Sequence, residues 1–94
     1  MNRNIPDDPI RKLLAIMSIL RSEDGCPWDR QQTPETLKPY LLEEAYEVLA
    51  ALEQDNPDEI KQELGDLLLQ VVFLAEIYAD RGEFDFNNVA DSIS

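Results

Sequence analysis

Five acids in the middle of the chain have spacing from which chemistry can be built. Glu43, Glu44 and Glu47 lie in YLLEEAYEVLAAL (40–52), and Glu63 and Asp66 lie in QELGDLLLQVVF (62–73). Residues three apart on a helix share a face, so Glu44 and Glu47 form one carboxylate pair and Glu63 and Asp66 another. The short EQDNPDE connection between the two segments lets antiparallel packing bring the pairs opposite each other. Ala51, one turn on from Glu47, leaves room there, and Gln70, one turn on from Asp66, offers spare donors.

A glutamate on a helix is ordinarily a solvated one, and that reading fits several of these acids. It fits Asp66 least. Aspartate is a poor mid-helix residue, and this one follows Gly65 between Leu64 and Leu67 in the most apolar part of the chain. A buried carboxylate without a partner costs several kcal/mol or takes up a proton. Lys61 is the nearest base in sequence, so a divalent cation is the better neutraliser of four facing carboxylates. With no histidine and a single cysteine, the ligands are oxygens, which suit Mg²⁺ or Mn²⁺. The four-helix di-iron proteins rely on Glu-x-x-His motifs, which a chain without histidine lacks.

Composition narrows the partners. The 94 residues form one domain, 1–94, and eight Lys plus Arg against twenty Asp plus Glu give a net charge of −12. Such a surface disfavours bare nucleic acid and anionic lipid. An anionic substrate would need a cation as intermediary. Cys26 has no intrachain disulfide partner and no histidine to activate it. The opening MNRNIPDDP has no signal-peptide core, and no apolar run approaches a membrane span. The expectation is a soluble, cytoplasmic protein.

The elements that must position the acids are all helical. Asp8 and Pro9 read as N-cap and first residue of a helix that stops near SEDG. CPWD (26–29) reads as a loop, and Thr33 with Pro34 restarts the chain. Pro39 predicts a short turn before a second long helix from about Tyr40 to Gln54. In NPDE (56–59), Asn56 is the cap, Pro57 the first position and Glu59 the reciprocal acid of a third helix ending near Asp80. Asp85 caps the start of a fourth. Short connections imply an all-α antiparallel helical bundle. The third helix is apolar around its whole axis, which calls for burial on all sides; a homodimer or homotetramer would supply it.

CPWDRQQT (26–33), the Glu43-Glu44-Ala45-Tyr46-Glu47 run and Glu63-Leu64-Gly65-Asp66 together resemble the MazG family of nucleoside triphosphate pyrophosphohydrolases. The likeness extends through GEFDFNNV and is to the N-terminal type of domain in two-domain members. It implies a helical bundle, assembled as a dimer or tetramer, that hydrolyses NTPs or dNTPs to monophosphate and pyrophosphate with Mg²⁺. Glu44, Glu47, Glu63 and Asp66 would then be the metal ligands and Glu43 an accessory catalytic acid. Arg30 and Lys38 are candidates for phosphate contact, though an ordinary solvated base is the commoner role for each. Trp28 is a candidate either for stacking on a nucleobase or for plugging the core, the latter being favoured. The chain stops as its last helix begins, before the basic segment of longer members. A truncated or catalytically silent, nucleotide- or metal-binding module is therefore the alternative.

Overall fold

Proline placement sets most of the helix starts. The computed structural model describes residues 5–94. It contains α1 (Pro9–Leu20), α2 (Pro27–Gln31), α3 (Pro34–Gln54), α4 (Pro57–Asp80) and α5 (Phe86–Ser92). The first four each open on proline, whose fixed φ suits the first helical position and whose missing N–H is not needed there. Caps complete the starts: Asp8 accepts from the Arg11 N–H at 3.0 Å, and Thr33 and Thr36 cap each other's backbone. Asn56 accepts from the N–H groups of Asp58 and Glu59. Glu59 thus takes part through its backbone at 3.4 Å.

Two sequence expectations are corrected. CPWD is not all loop, because Pro27 starts the five-residue α2, with Arg30 N–H donating to the Cys26 carbonyl at 3.1 Å. Pro39 does not divide α3, which runs unbroken across it. A proline removes the hydrogen bond to the carbonyl four residues back, here that of Glu35 in the first turn. Both residues are exposed, so water can satisfy that carbonyl. Leu37, fully buried, anchors the segment from the other face.

α4 is the central element. It packs most extensively on α3 and also receives α1 and α5. The left-handed Asp55 (φ 54°) makes the tight corner between α3 and α4. Met17, Leu37, Val72, Phe73 and Ile77 form the core, flanked by Leu13, Leu14, Leu68, Leu74 and Phe86. The core therefore occupies the C-terminal half of α4. Its N-terminal half is less covered, and Leu64 is 50% exposed, so a single chain does not bury α4 all round.

Arg21, at the C-terminus of α1, ties the small elements to this core. Its guanidinium pairs with Asp80 at 3.1 Å, donates to the Asp29 carbonyl at 2.6 Å and lies over the Phe73 ring. The chain passes from α1 to α2 through a turn at Gly25, where a Cβ would overlap the carbonyl oxygens of Ile19 and Leu20. Among the described residues, no helix is long and apolar enough to cross a membrane.

Glu76 faces α1 from α4. Burial, then the charge of Asp80, raises its carboxyl above the ordinary 4.5, partly opposed by a hydrogen bond from Ser18 and by the Arg21 charge. A carboxyl raised in the folded state holds its proton longer folded than unfolded. Its contribution therefore falls as pH rises from about 4.5 through the raised value and is constant above it. Glu76→Gln removes that loss. Thermal melts should show parent and variant alike below pH 4.5, with a higher Tm for the variant that persists at pH 7; equal Tm values at pH 7 would refute the assignment.

Candidate functional site

The long α3–α4 hairpin determines which acids meet. Glu44 projects from α3, and Glu63 and Asp66 project from the same face of α4. Each offers a carboxylate oxygen, and these oxygens lie within 4.8 Å of one another. All three residues are half-buried. Glu47 is exposed and lies outside this group, yet its charge acts on both Glu44 and Glu63. Glu43 and Glu47 line a neighbouring groove with Pro39, Leu42, Tyr46 and Ala50.

The electrostatics follow from that crowding. Partial burial, and after it the charges of Asp66, Glu63, Glu47 and Glu43, holds the Glu44 carboxyl above its ordinary range. Glu63 is raised by burial and then by Glu47, Asp66 and Glu59. Every named electrostatic contributor at these two groups is another acid. The cluster has the chemistry of a hard-cation site: oxygen donors, like charge and partial exclusion of water. Oxygens on opposite sides of a Mg²⁺ ion bound at about 2.1 Å lie about 4.2 Å apart. The three oxygens lie within 4.8 Å of one another, so small side-chain rotations would bring them onto such an ion.

The candidate substrate contacts are placed elsewhere. Trp28 on α2 is half-exposed and meets Tyr40 and Phe73 edge-on, with centroids 6.0 and 6.1 Å away. Arg30 donates to the Glu23 carbonyl at 2.7 Å. Lys38 pairs with Glu35 at 2.9 Å on an exposed surface. It also borders an apolar cavity of about 410 Å³ lined by Leu41, Leu74, Tyr78 and Phe84. That cavity lies against a different stripe of α4 from the one carrying the acids.

One polar residue a turn from Asp66 has a setting the sequence reading did not anticipate. Gln70 is read from sequence as a source of donors, but its carbonyl oxygen Oε1 is the buried atom, and it has no hydrogen-bond partner among the described residues. Spacing alone places Gln70 one turn from Asp66. It does not reveal that the amide's acceptor end is the buried one.

Residues 32–94 match the family model of the MazG nucleotide pyrophosphohydrolase domain. The chain is 52% identical over 83 residues to the nucleoside triphosphate pyrophosphohydrolase/pyrophosphatase MazG of Thermotoga maritima, covering 88% of this chain and 32% of that protein. It is 52% identical over 86 residues to a nucleoside triphosphate pyrophosphohydrolase of Escherichia coli, covering 90% and 33%. The counterpart in Mycobacterium tuberculosis is 44% identical over 82 residues, covering 85% and 25%. The chain thus spans about a third or less of the length of these relatives. On this match across most of its length, joined to the helical hairpin that gathers Glu44, Glu63 and Asp66, the chain belongs to the MazG nucleotide pyrophosphohydrolase domain family.

Proposed function

We propose that this domain hydrolyses nucleoside triphosphates, NTP or dNTP, to the monophosphate and pyrophosphate, with Mg²⁺ or Mn²⁺ as cofactor. The observation that carries this reading is the approach of the Glu44, Glu63 and Asp66 oxygens to within 4.8 Å in a domain of this family. Related proteins named as nucleoside triphosphate pyrophosphohydrolases support the substrate class. Clearing unwanted nucleotides from the cytoplasmic pool is the biological role we assign.

In this reading Glu44, Glu63 and Asp66 hold the cation, with Glu47 completing the ligand set from the rim and Glu43 as accessory acid. A bound divalent ion offsets the charge of the triphosphate and lowers the pKa of a water. Hydrolysis joins water oxygen to the α-phosphorus, breaks its bond to the bridging oxygen and releases pyrophosphate with that electron pair, the water's proton passing to solvent. The carboxylates orient the reactants, and the half-buried setting strengthens each electrostatic contact. Trp28, Arg30 and Lys38 are the proposed contacts to the rest of the nucleotide. Lys38 would have to leave Glu35, and Arg30 the Glu23 carbonyl, to reach phosphate. Those prior engagements favour a second reading, a module that binds Mg²⁺-nucleotide without turnover.

Self-association belongs to the same proposal. Leu42, Tyr46 and Leu49 recur at helical spacing on α3 and are 60%, 63% and 57% exposed. They, and separately the half-exposed Leu64 on α4, are apolar surface that a second copy would cover, in a homodimer or homotetramer.

Three measurements test this reading. Incubation with a panel of NTPs and dNTPs plus Mg²⁺ should release pyrophosphate. Asp66→Asn should cut that rate by at least the roughly 10–100-fold that losing even an outer metal contact costs, with an unchanged circular dichroism spectrum. Binding of Mg²⁺-nucleotide without any release would favour the non-catalytic module. Mg²⁺ or Mn²⁺ alone should raise Tm, by about 2.7 kcal/mol of stability at a hundred times its Kd. Because ligands must lose their protons and Glu44 and Glu63 hold theirs above the ordinary 4.5, that gain should shrink as pH falls toward and through the raised range. A gain independent of pH would remove these two acids from the site. Light scattering should give an integral multiple of the chain mass, and Leu49→Glu should lower it; a monomer at all concentrations would contradict the assembly.

A further inference from the structure

We infer that Gln70 is a positioning residue of the cation site, its Oε1 accepting a hydrogen bond from a water of hydration carried by the ion. The inference rests on the metal-site reading above and adds a residue to it. Its starting point is the buried Oε1 without a donor among the described residues. An unsatisfied buried acceptor loses its hydration with nothing in return, so such an atom calls for a partner.

The position limits what that partner can be. Glu63, Asp66, Gln70 and Phe73 follow one another at three- and four-residue intervals, hence along one face of α4. Helical side chains lean toward the N-terminus, over the preceding turn, and for Gln70 that is the turn carrying Asp66. Phe73, the next residue along that face, is buried. The neighbours toward Asp66 are carboxylates, which accept hydrogen bonds when ionised and supply none. Triphosphate oxygens are acceptors as well. A cation held by these carboxylates would bring donors of its own, because Mg²⁺ characteristically keeps several of its waters. An amide oxygen suits this part better than another acid, because it accepts from water without adding to the charge repelling Glu44, Glu63 and Asp66. Outer contacts of this kind orient a metal site and commonly contribute 10–100-fold in affinity.

The test uses the metal alone, with no nucleotide. Mg²⁺ binding is measured by calorimetry and Mn²⁺ binding by loss of the free-ion electron paramagnetic resonance signal, with Tm recorded with and without metal. In Gln70→Leu, removing a buried acceptor without a partner should raise the metal-free Tm, while affinity for both ions falls about tenfold or more. In Gln70→Glu, the added charge should lower the metal-free Tm and enlarge the rise produced by metal. These opposed signs separate the inference from a purely structural role, which would change Tm and leave affinity alone. If the parent protein binds neither ion, the metal reading itself fails. If the parent binds and Gln70→Leu binds equally well, the part assigned to Gln70 is overturned. Should Gln70→Leu not fold, Gln70→Glu decides: a metal-induced Tm rise no larger than the parent's overturns the inference.

Discussion

Mutual repulsion among the carboxylates of the α3–α4 hairpin is the constraint that organises this domain. Two like charges about 4 Å apart repel by about 1 kcal/mol in water and several times more where water is partly excluded. Glu44, Glu63 and Asp66 stand at such distances, and Glu47 adds its charge to the first two. The hairpin does not open because its apolar contacts lie elsewhere along the same helices. Leu37 on α3 and Val72, Phe73 and Ile77 on α4 pack at the end remote from the α3–α4 corner. Ala51 is buried on α3 near that corner. The acids are thus flanked on both sides by closely packed residues and cannot separate without undoing that packing. This arrangement is what the proposed cation site rests on: repulsion held in place by packing, available to whatever relieves it.

α4 is accordingly divided along its length. Its first half presents Glu63 and Asp66 and leaves Leu64 half-exposed, while its second half is the core on which α1 and α5 rest. Arg21 binds α1, α2 and α4 together with one guanidinium, meeting Asp80, the Asp29 carbonyl and the Phe73 ring. The same contacts hold Trp28 against Phe73, one turn beyond Gln70. The positioning of α2 and the rigidity behind the acids are therefore coupled through Phe73.

Much of this was legible in the sequence because helix signals are local. Pro9, Pro34 and Pro57 next to Asp8, Thr33 and Asn56 mark three helix starts within a residue, and the long apolar run of α4 identifies the central element. The misreadings arose where tertiary context overrides local preference. Pro39 breaks a helix in isolation, but one lost hydrogen bond on an exposed side is outweighed by burying Leu37, half a turn away on the core side. Pro27 also starts a helix, and Arg21, eight residues before Asp29, donates to the carbonyl of that residue in α2; the proline at the first helical position is the signal that reading CPWD as a loop passed over. For the acids, i, i+3 spacing predicts shared faces but not how the two helices rotate against each other. Glu44 therefore meets Glu63 and Asp66 closely, whereas Glu47 sits at the rim. Burial of Gln70 Oε1 depends on the same rotation and had no sequence signal.

The charge balance also constrains how a triphosphate could approach. With a net charge of −12, the domain repels a free polyanion beyond the Debye length of about 8 Å only weakly, and inside it strongly. Lys38 and Arg30, the candidate phosphate contacts, are respectively paired with Glu35 and bonded to the Glu23 carbonyl, and neither belongs to the carboxylate group. First attraction is therefore not assigned to these two bases. In the proposed reading, discrimination begins with the cation, because only a triphosphate already sharing its charge with a divalent ion can enter the carboxylate cluster without adding to the repulsion there. In that reading the acidity that disfavours a bare polyanion is the same property that admits a metal-complexed nucleotide.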